Sequence, residues 1–416
     1  MNTLRTKEKS FLIVVLLYTV YMVFPLFQDI SHIPVWAVCV ASSLYMLFAF
    51  PKHHNTPFFK WFIAYVAVLL CYCVVGHNFH INGIGDSNNA LWRIIIETAW
   101  ILPNILICNI FQKEKNQNLK RIFSISVICI LVISLFSIIP SLLANARILR
   151  LNASEEDIGM EGFAGLPSYT LMSCYAYFIP VICYAMVNVK GLKKVLFVLM
   201  LLLFGYVILK TEITTSFIAM ILMLLITMTY SKTNIQNTIG RSVLLLIAVY
   251  VFYKTGWLLR LVDFMQEVYA GTNAEIKFQD FHNQLVGEEN DNLTVREHCR
   301  EMSMECFYHN PVFGSTGVGG HSSLLDRLGS MGLFGFIPYF MMLITNIKSW
   351  YNLMPGKSEK FFYFGSSIIV FVFLYNKGLF SGEGMMFMMF LVPVCILGLN
   401  YYIQSKKQYF TLNRSK

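Results

Sequence analysis

One histidine and two arginines in a glycine-rich stretch carry the clearest chemical signal in this sequence. His321 closes the run Gly314-Ser-Thr-Gly317-Val-Gly319-Gly320, just ahead of an apolar segment. An imidazole there can accept a proton near neutral pH and so act as a general base. Arg296 and Arg300 precede it, spaced four apart. On a helix that spacing puts both guanidiniums on one face. Two rigid forks side by side suit phosphate oxygens. The competing use is pairing with Glu297, Glu301 or Glu305. Gly317 and Gly319 let a backbone turn sharply and approach a ligand closely. No Gly-Lys-Ser/Thr follows, so the turn is not a Walker loop. No C-x-x-C or H-E-x-x-H spacing occurs, and no metal site is expected.

Local signals say how these residues are held. Thr294-Val-Arg-Glu297 reads as a capping box opening a helix that runs to about Tyr308. His309-Asn-Pro311 stops it, because the residue before proline avoids helical geometry. Ser323-Leu-Leu-Asp326 reads as the cap of the next helix. Gly329, Gly332 and Gly335 recur there at a spacing that suggests close packing on a neighbour. Upstream, Leu258–Ala270 reads as an amphipathic helix at a membrane surface, with Leu258, Leu259, Val262, Met265 and Tyr269 on its apolar face. The polar stretch Gln279–Asn292 is expected to be irregular. Cys299 and Cys306 sit too far apart along one helix, about 10 Å, to bridge each other.

The remainder of the chain is membrane-like. Its residues are 56% hydrophobic and only 13% charged, which leaves too little polar surface for a soluble domain. Apolar segments near 11–27, 33–50, 59–76, 91–111, 122–140, 167–188, 195–210, 213–230, 242–258, 329–346, 361–379 and 384–403 each approach the length that crosses a bilayer as a helix. The expected fold is all-α and polytopic, with about twelve transmembrane helices. A large, partly helical extracytoplasmic loop separates the ninth and tenth. The expected divisions are residues 1–253 (helices one to nine), 254–328 (the loop) and 329–416 (the last three helices and a tail). Phe11–Phe27 lacks a small-residue cleavage site and is expected to remain as a span.

Basic residues set the orientation. With the N-terminus inside and alternating spans, roughly two thirds of the 32 lysines and arginines fall on the cytoplasmic side. Of the 23 acidic residues, only Glu8, Glu114 and Glu359 join them. Both termini are then cytoplasmic. The formal charge of +9 is a topology signal rather than a nucleic-acid footprint. A second outer segment, Ser141–Leu166, carries Arg147, Arg150 and an acidic run.

Two further pairs of charges fall inside or at the ends of spans. Arg93 and Glu97, four apart in the fourth segment, form either a mutual salt bridge or part of an anion site. Lys377 and Glu383, near the outer end of the eleventh, allow the same two readings.

The stretch Arg296–Phe340 resembles the O-antigen polymerase/O-antigen ligase superfamily of bacterial envelope polysaccharide assembly. Arg296, Asn310-Pro-Val-Phe-Gly314, Gly317-Val-Gly319, His321-Ser322 and Gly332-Leu-Phe-Gly335-Phe carry the likeness, over about a tenth of the chain. So does the span plan with its large loop. The resemblance implies an inner-membrane glycosyltransferase that uses undecaprenyl-diphosphate-linked glycan and needs neither nucleotide sugar, metal nor cofactor. Carried over, His321 activates the acceptor hydroxyl and Arg296 neutralises the leaving diphosphate. Polymerisation of repeat units and ligation of finished glycan to a lipid A core both fall within the family. A flippase and a chain-length regulator are the implied protein partners. One departure concerns an arginine that family members carry after the seventh span. Here that region reads Lys210-Thr-Glu-Ile-Thr-Thr-Ser216. Lys210 either supplies a point charge or snorkels at a helix end. The rival class is a polysaccharide flippase or other transporter. That mechanism places its polar groups near the bilayer midplane, whereas the candidates here cluster at the outer side.

Overall fold

The computed structural model describes residues 4–24, 33–75, 90–144, 169–210, 214–232, 235–271, 273–288, 291–376 and 382–414. The described residues are helical with no β-strand among them. In chain order the helices are α1 (Thr6–Val23), α2 (Val35–Ala49), α3 (Pro57–Val75), α4 (Ala90–Lys113), α5 (Gln117–Ala144) and α6 (Tyr169–Asn188). Then come α7 (Leu192–Lys210), α8 (Thr214–Thr229), α9 (Ile235–Lys254), α10 (Trp257–Val268), α11 (Asn273–Val286) and α12 (Asp291–His309). The last are α13 (Ser323–Leu353), α14 (Lys357–Asn376), α15 (Gly382–Met386) and α16 (Val392–Arg414). Every apolar segment expected to cross overlaps one of these helices. Seven helical segments among the described residues are long and apolar enough to span a bilayer, which marks a membrane protein.

Burial separates centre from periphery. Of the candidate spans among the described residues, the stretch from α15 into α16 is the most buried, at 83% of its apolar window. It is apolar on every side (Met385, Met386, Phe387, Met388, Met389, Phe390), and such a helix belongs at a bundle centre. Phe387–Leu391 widens into a π-turn. The indole of Trp350 on α13 donates to the Met389 carbonyl at 2.6 Å there. An insertion of this kind into the helical ladder is what a π-turn allows. Close approach of α5 to α16 depends on Gly398, since a Cβ there would meet Ser124 Oγ at 1.9 Å. At the other extreme none of the apolar window of α9 is buried, so its faces are left for lipid.

Two expectations for the loop change. Gln279–Asn292 was expected to be irregular, yet α11 continues to Val286 and α12 opens at Asp291. Local polarity hid this because α11 is stabilised by tertiary packing on α10. His282 on α11 reaches Asp263 on α10 at 3.4 Å, and Tyr269 faces Phe278 with ring centroids 5.7 Å apart. The apolar face assigned to α10 also proves to be its inner one: Val262 is buried and Leu258, Leu259 and Met265 are half-buried. A second apolar stripe, Trp257, Leu261, Phe264 and Val268, is exposed.

Ser141–Leu166 falls mostly outside the described residues, as does Lys377. The side chains of Arg93, Glu97 and Glu383 are also outside the description, although Arg93 and Glu97 lie on α4.

Candidate functional site

The site is assembled from α12, the glycine turn and the start of α13. The first turn of α12 begins at Asp291, about one turn ahead of the start expected at Thr294. Aspartate, asparagine and threonine are all start signals, so the sequence rule alone does not choose among residues 291, 292 and 294. From there the helix presents Cys299, Ser303 and Cys306 as a buried edge at helical spacing. Both thiols are free. Arg296, Glu297 and His298 are exposed.

The glycines answer first to packing. A Cβ at Gly319 would lie 2.0 Å from the Cys299 carbonyl oxygen, so the turn rests directly on the backbone of α12. Gly329 meets the Ser303 carbonyl in the same way, at 2.3 Å. Gly332 has φ +56°, and a Cβ there would strike Val312. That residue breaks α13 into two pieces. The amides of Leu333 and Phe334, freed by the break, donate to Pro311 and Val312 carbonyls at 2.8 and 2.9 Å. Tyr72 of α3 clamps the same corner, donating to Met331 O at 2.6 Å and reaching Phe313 O at 3.1 Å. Thus Gly329 and Gly332 pack on neighbouring chain, as their spacing suggests. Gly335 instead faces Met331 of its own helix.

The cap of α13 differs from expectation by one residue. Ser322, not Ser323, is the N-cap, and its hydroxyl accepts the Leu325 amide at 3.3 Å. Either serine satisfies the sequence rule. Asp326 decides between them, because its carboxylate reaches back to the Ser322 amide at 3.1 Å. The same carboxylate accepts from the Gly320 amide at 3.2 Å and the Ser303 hydroxyl at 2.7 Å.

His321 therefore sits between two anchored peptides, half-buried. Burial, and after it the charges of Arg296 and Arg300, hold its imidazole below the ordinary histidine pKa. The two arginines and the histidine singled out in the sequence thus share one electrostatic neighbourhood. Among the described residues neither arginine forms an ion pair, so the glutamates of α12 do not neutralise them. Arg300 is braced: its guanidinium carbon lies 4.7 Å from the Tyr375 ring centroid, and Nη2 donates to Asn376 Oδ1 at 3.0 Å. Its Nε is buried with no hydrogen-bond partner. Arg296 remains open to solvent.

Gly317 adopts φ +99°, a conformation that favours glycine. Lys210 ends α7, exposed, where an ammonium complements the helix dipole. It makes no hydrogen bond or ion pair among the described residues. Sequence reading missed Asp326 as the hub of the turn, Ser303 as its partner, and Tyr375 with Asn376 as the brace of Arg300. These pairings join residues tens of positions apart, and no local pattern announces them. No family model matches the chain, and no curated protein is similar to it.

Proposed function

We propose that this protein polymerises undecaprenyl-diphosphate-linked oligosaccharide repeat units into O-antigen or capsular polysaccharide at the outer face of the bacterial inner membrane. The observation that carries the reading is that the turn bearing His321 rests directly on α12 beside Arg296 and Arg300, neither of which forms an ion pair among the described residues. An imidazole kept neutral by burial and nearby positive charge is a competent base, and guanidiniums without an acidic partner suit a diphosphate. In the proposed step an acceptor sugar hydroxyl attacks the anomeric carbon of the donor glycan. Its proton passes to His321 as the new glycosidic bond forms. The bond from the anomeric carbon to the diphosphate oxygen breaks, and the electron pair leaves with that oxygen. Arg296 and Arg300 stabilise the charge that accumulates there. A sugar hydroxyl needs the base, and the leaving group needs the cations.

The proposal includes about twelve membrane crossings with both termini in the cytoplasm, so that residues 254–328 face outward. A flippase would deliver the lipid-linked unit to that face, and a chain-length regulator would act on the product.

The glycan ladder of a deletion strain carrying the His321→Ala protein tests the reading. Surface glycan capped at a single repeat unit, with the variant still present in the membrane, is the expected result. A full ladder would remove His321 from the chemistry. Complete loss of glycan from the lipid A core would indicate ligation instead, and lipid-linked units retained on the cytoplasmic side would indicate transport.

A further inference from the structure

We infer that Asp326, acting with Ser303, is the positioning group that aims His321 at the arginine face of α12. The claim rests on the proposed role of His321 and concerns how that residue is held. Asp326 is buried, with 8% of its surface exposed. Its two oxygens divide the work. Oδ1 accepts from the Gly320 amide at 3.2 Å, and Oδ2 accepts from the Ser322 amide at 3.1 Å. Those are the residues on either side of His321, so one carboxylate grips the peptide before and after the imidazole.

The second half of the device ties this grip to α12. Ser303 is fully buried, and its hydroxyl donates to Asp326 Oδ1 at 2.7 Å. The Cys299 carbonyl, at 3.1 Å, is the longer alternative for the same proton. The Ser303 oxygen also accepts the Gly319 amide at 3.0 Å. Amides of Gly319, Gly320 and Ser322 are thereby all referred to one serine of α12 and one aspartate of α13. Ser303 lies one turn beyond Arg300 on α12. A single buried network therefore fixes the peptide that carries His321 relative to the backbone of α12, from which both arginines project.

The chemistry demands a carboxylate. Three donors converge on Asp326, and an ionised carboxylate only accepts. Charge-assisted hydrogen bonds from all three offset part of the cost of burying it, which still raises the carboxyl pKa to about 6. An asparagine would turn an NH2 group toward one of those donors, leaving a buried amide or hydroxyl unsatisfied. Asp326 and Ser303 do not touch the reacting atoms in this scheme. They act through the position of His321.

The test uses the full-length protein in native membranes and two variants, Asp326→Asn and Ser303→Ala. Diethyl pyrocarbonate modifies accessible neutral imidazoles, and peptide mass spectrometry reads each histidine separately. His298, exposed on the same helix, is the internal standard. In both variants His321 is expected to be labelled several-fold faster relative to His298, as the turn lifts away from α12. Chain extension is expected to slow on the order of 10- to 100-fold, in the maximal rate rather than in donor half-saturation. Mere destabilisation would lower the amount of protein without changing that labelling ratio. Unchanged relative labelling of His321 in both variants would overturn the inference. Faster labelling with wild-type extension would uphold the positioning role and overturn the proposed chemistry. Ser303→Ala, which keeps the carboxylate, decides the matter if Asp326→Asn fails to accumulate.

Discussion

Arg300 lies across the ring of Tyr375, its guanidinium carbon 4.7 Å from the ring centroid, and this contact joins α12 to the last turn of α14. The neighbouring Asn376 takes the Nη2 hydrogen bond, so the fork is fixed by a face and by an edge. Arg296, one turn away, has no such brace and is exposed. The two arginines are therefore unequal. One is preorganised, and the other can close on a ligand after it arrives.

Tyr375→Leu should weaken the site through Arg300 alone. A cation–π contact at a partly exposed site is worth about 0.5–1 kcal/mol. That corresponds to roughly a two- to fivefold rise in the donor concentration needed for half-maximal extension. Asn376→Ala is expected to act in the same direction. Arg300→Lys should be worse than either, because an ammonium cannot keep both the stacking and the planar hydrogen bond. Extension assays over a range of synthetic lipid-diphosphate donor give the answer. Unchanged half-saturation in all three variants would separate Arg300 from donor binding.

The pH profile has a definite sign. Burial and the positive charges of Arg296 and Arg300 all disfavour the imidazolium form of His321, so its folded pKa is lowered. Base catalysis needs the neutral form. Activity set by His321 should therefore persist below the pH at which an ordinary histidine becomes protonated, while Asp326, whose carboxyl pKa burial raises to about 6, adds its own loss near that pH. Arg296→Gln removes one opposing charge, raises the His321 pKa and should move the acidic limb to higher pH. Arg296→Lys keeps the charge, so its limb should stay in place while the rate falls for want of the bidentate fork. Rate against pH for the three proteins checks both statements. A limb that stays fixed in Arg296→Gln would break the proposed coupling.

The helices were readable because hydropathy and length report burial in lipid directly. The apolar segment at 361–379, for example, lies on α14 at Lys357–Asn376. The loop was harder. α11 has too little apolar periodicity to announce itself, and it is stabilised by pairings such as His282 with Asp263 that lie 19 residues apart. Around His321 the sequence displayed the reactive residues and hid what positions them. Gly319 looked like a place for ligand approach, and Gly329 like a packing contact. In the fold they are the places where one backbone rests on another, against Cys299 and Ser303. Asp326 looked like an ordinary cap because local rules score only the nearest amides, whereas one of its partners is Ser303 on another helix.

The exposed stripe on α10 leads to the last prediction. Trp257, Leu261, Phe264 and Val268 fall within a narrow arc of the helix and are 56%, 47%, 59% and 58% exposed. Arg260, Asp263 and Glu267 form the adjacent polar arc, and Arg260 lies over the Trp257 ring at 5.4 Å. The helix follows α9 after a short turn in which Gly256 takes φ +76°. α9 is itself exposed along the apolar window that would face lipid. A helix leaving such a span through a tight turn, with an apolar arc outward and a tryptophan at its start, fits a position in the headgroup region. A nitroxide at position 264, in a protein lacking other reactive thiols, should be relaxed more strongly by oxygen than by a water-soluble nickel chelate. The same label at 267, about a sixth of a turn around the helix, should show the opposite preference. Equal access to the nickel chelate at both positions would place α10 in water, away from the bilayer.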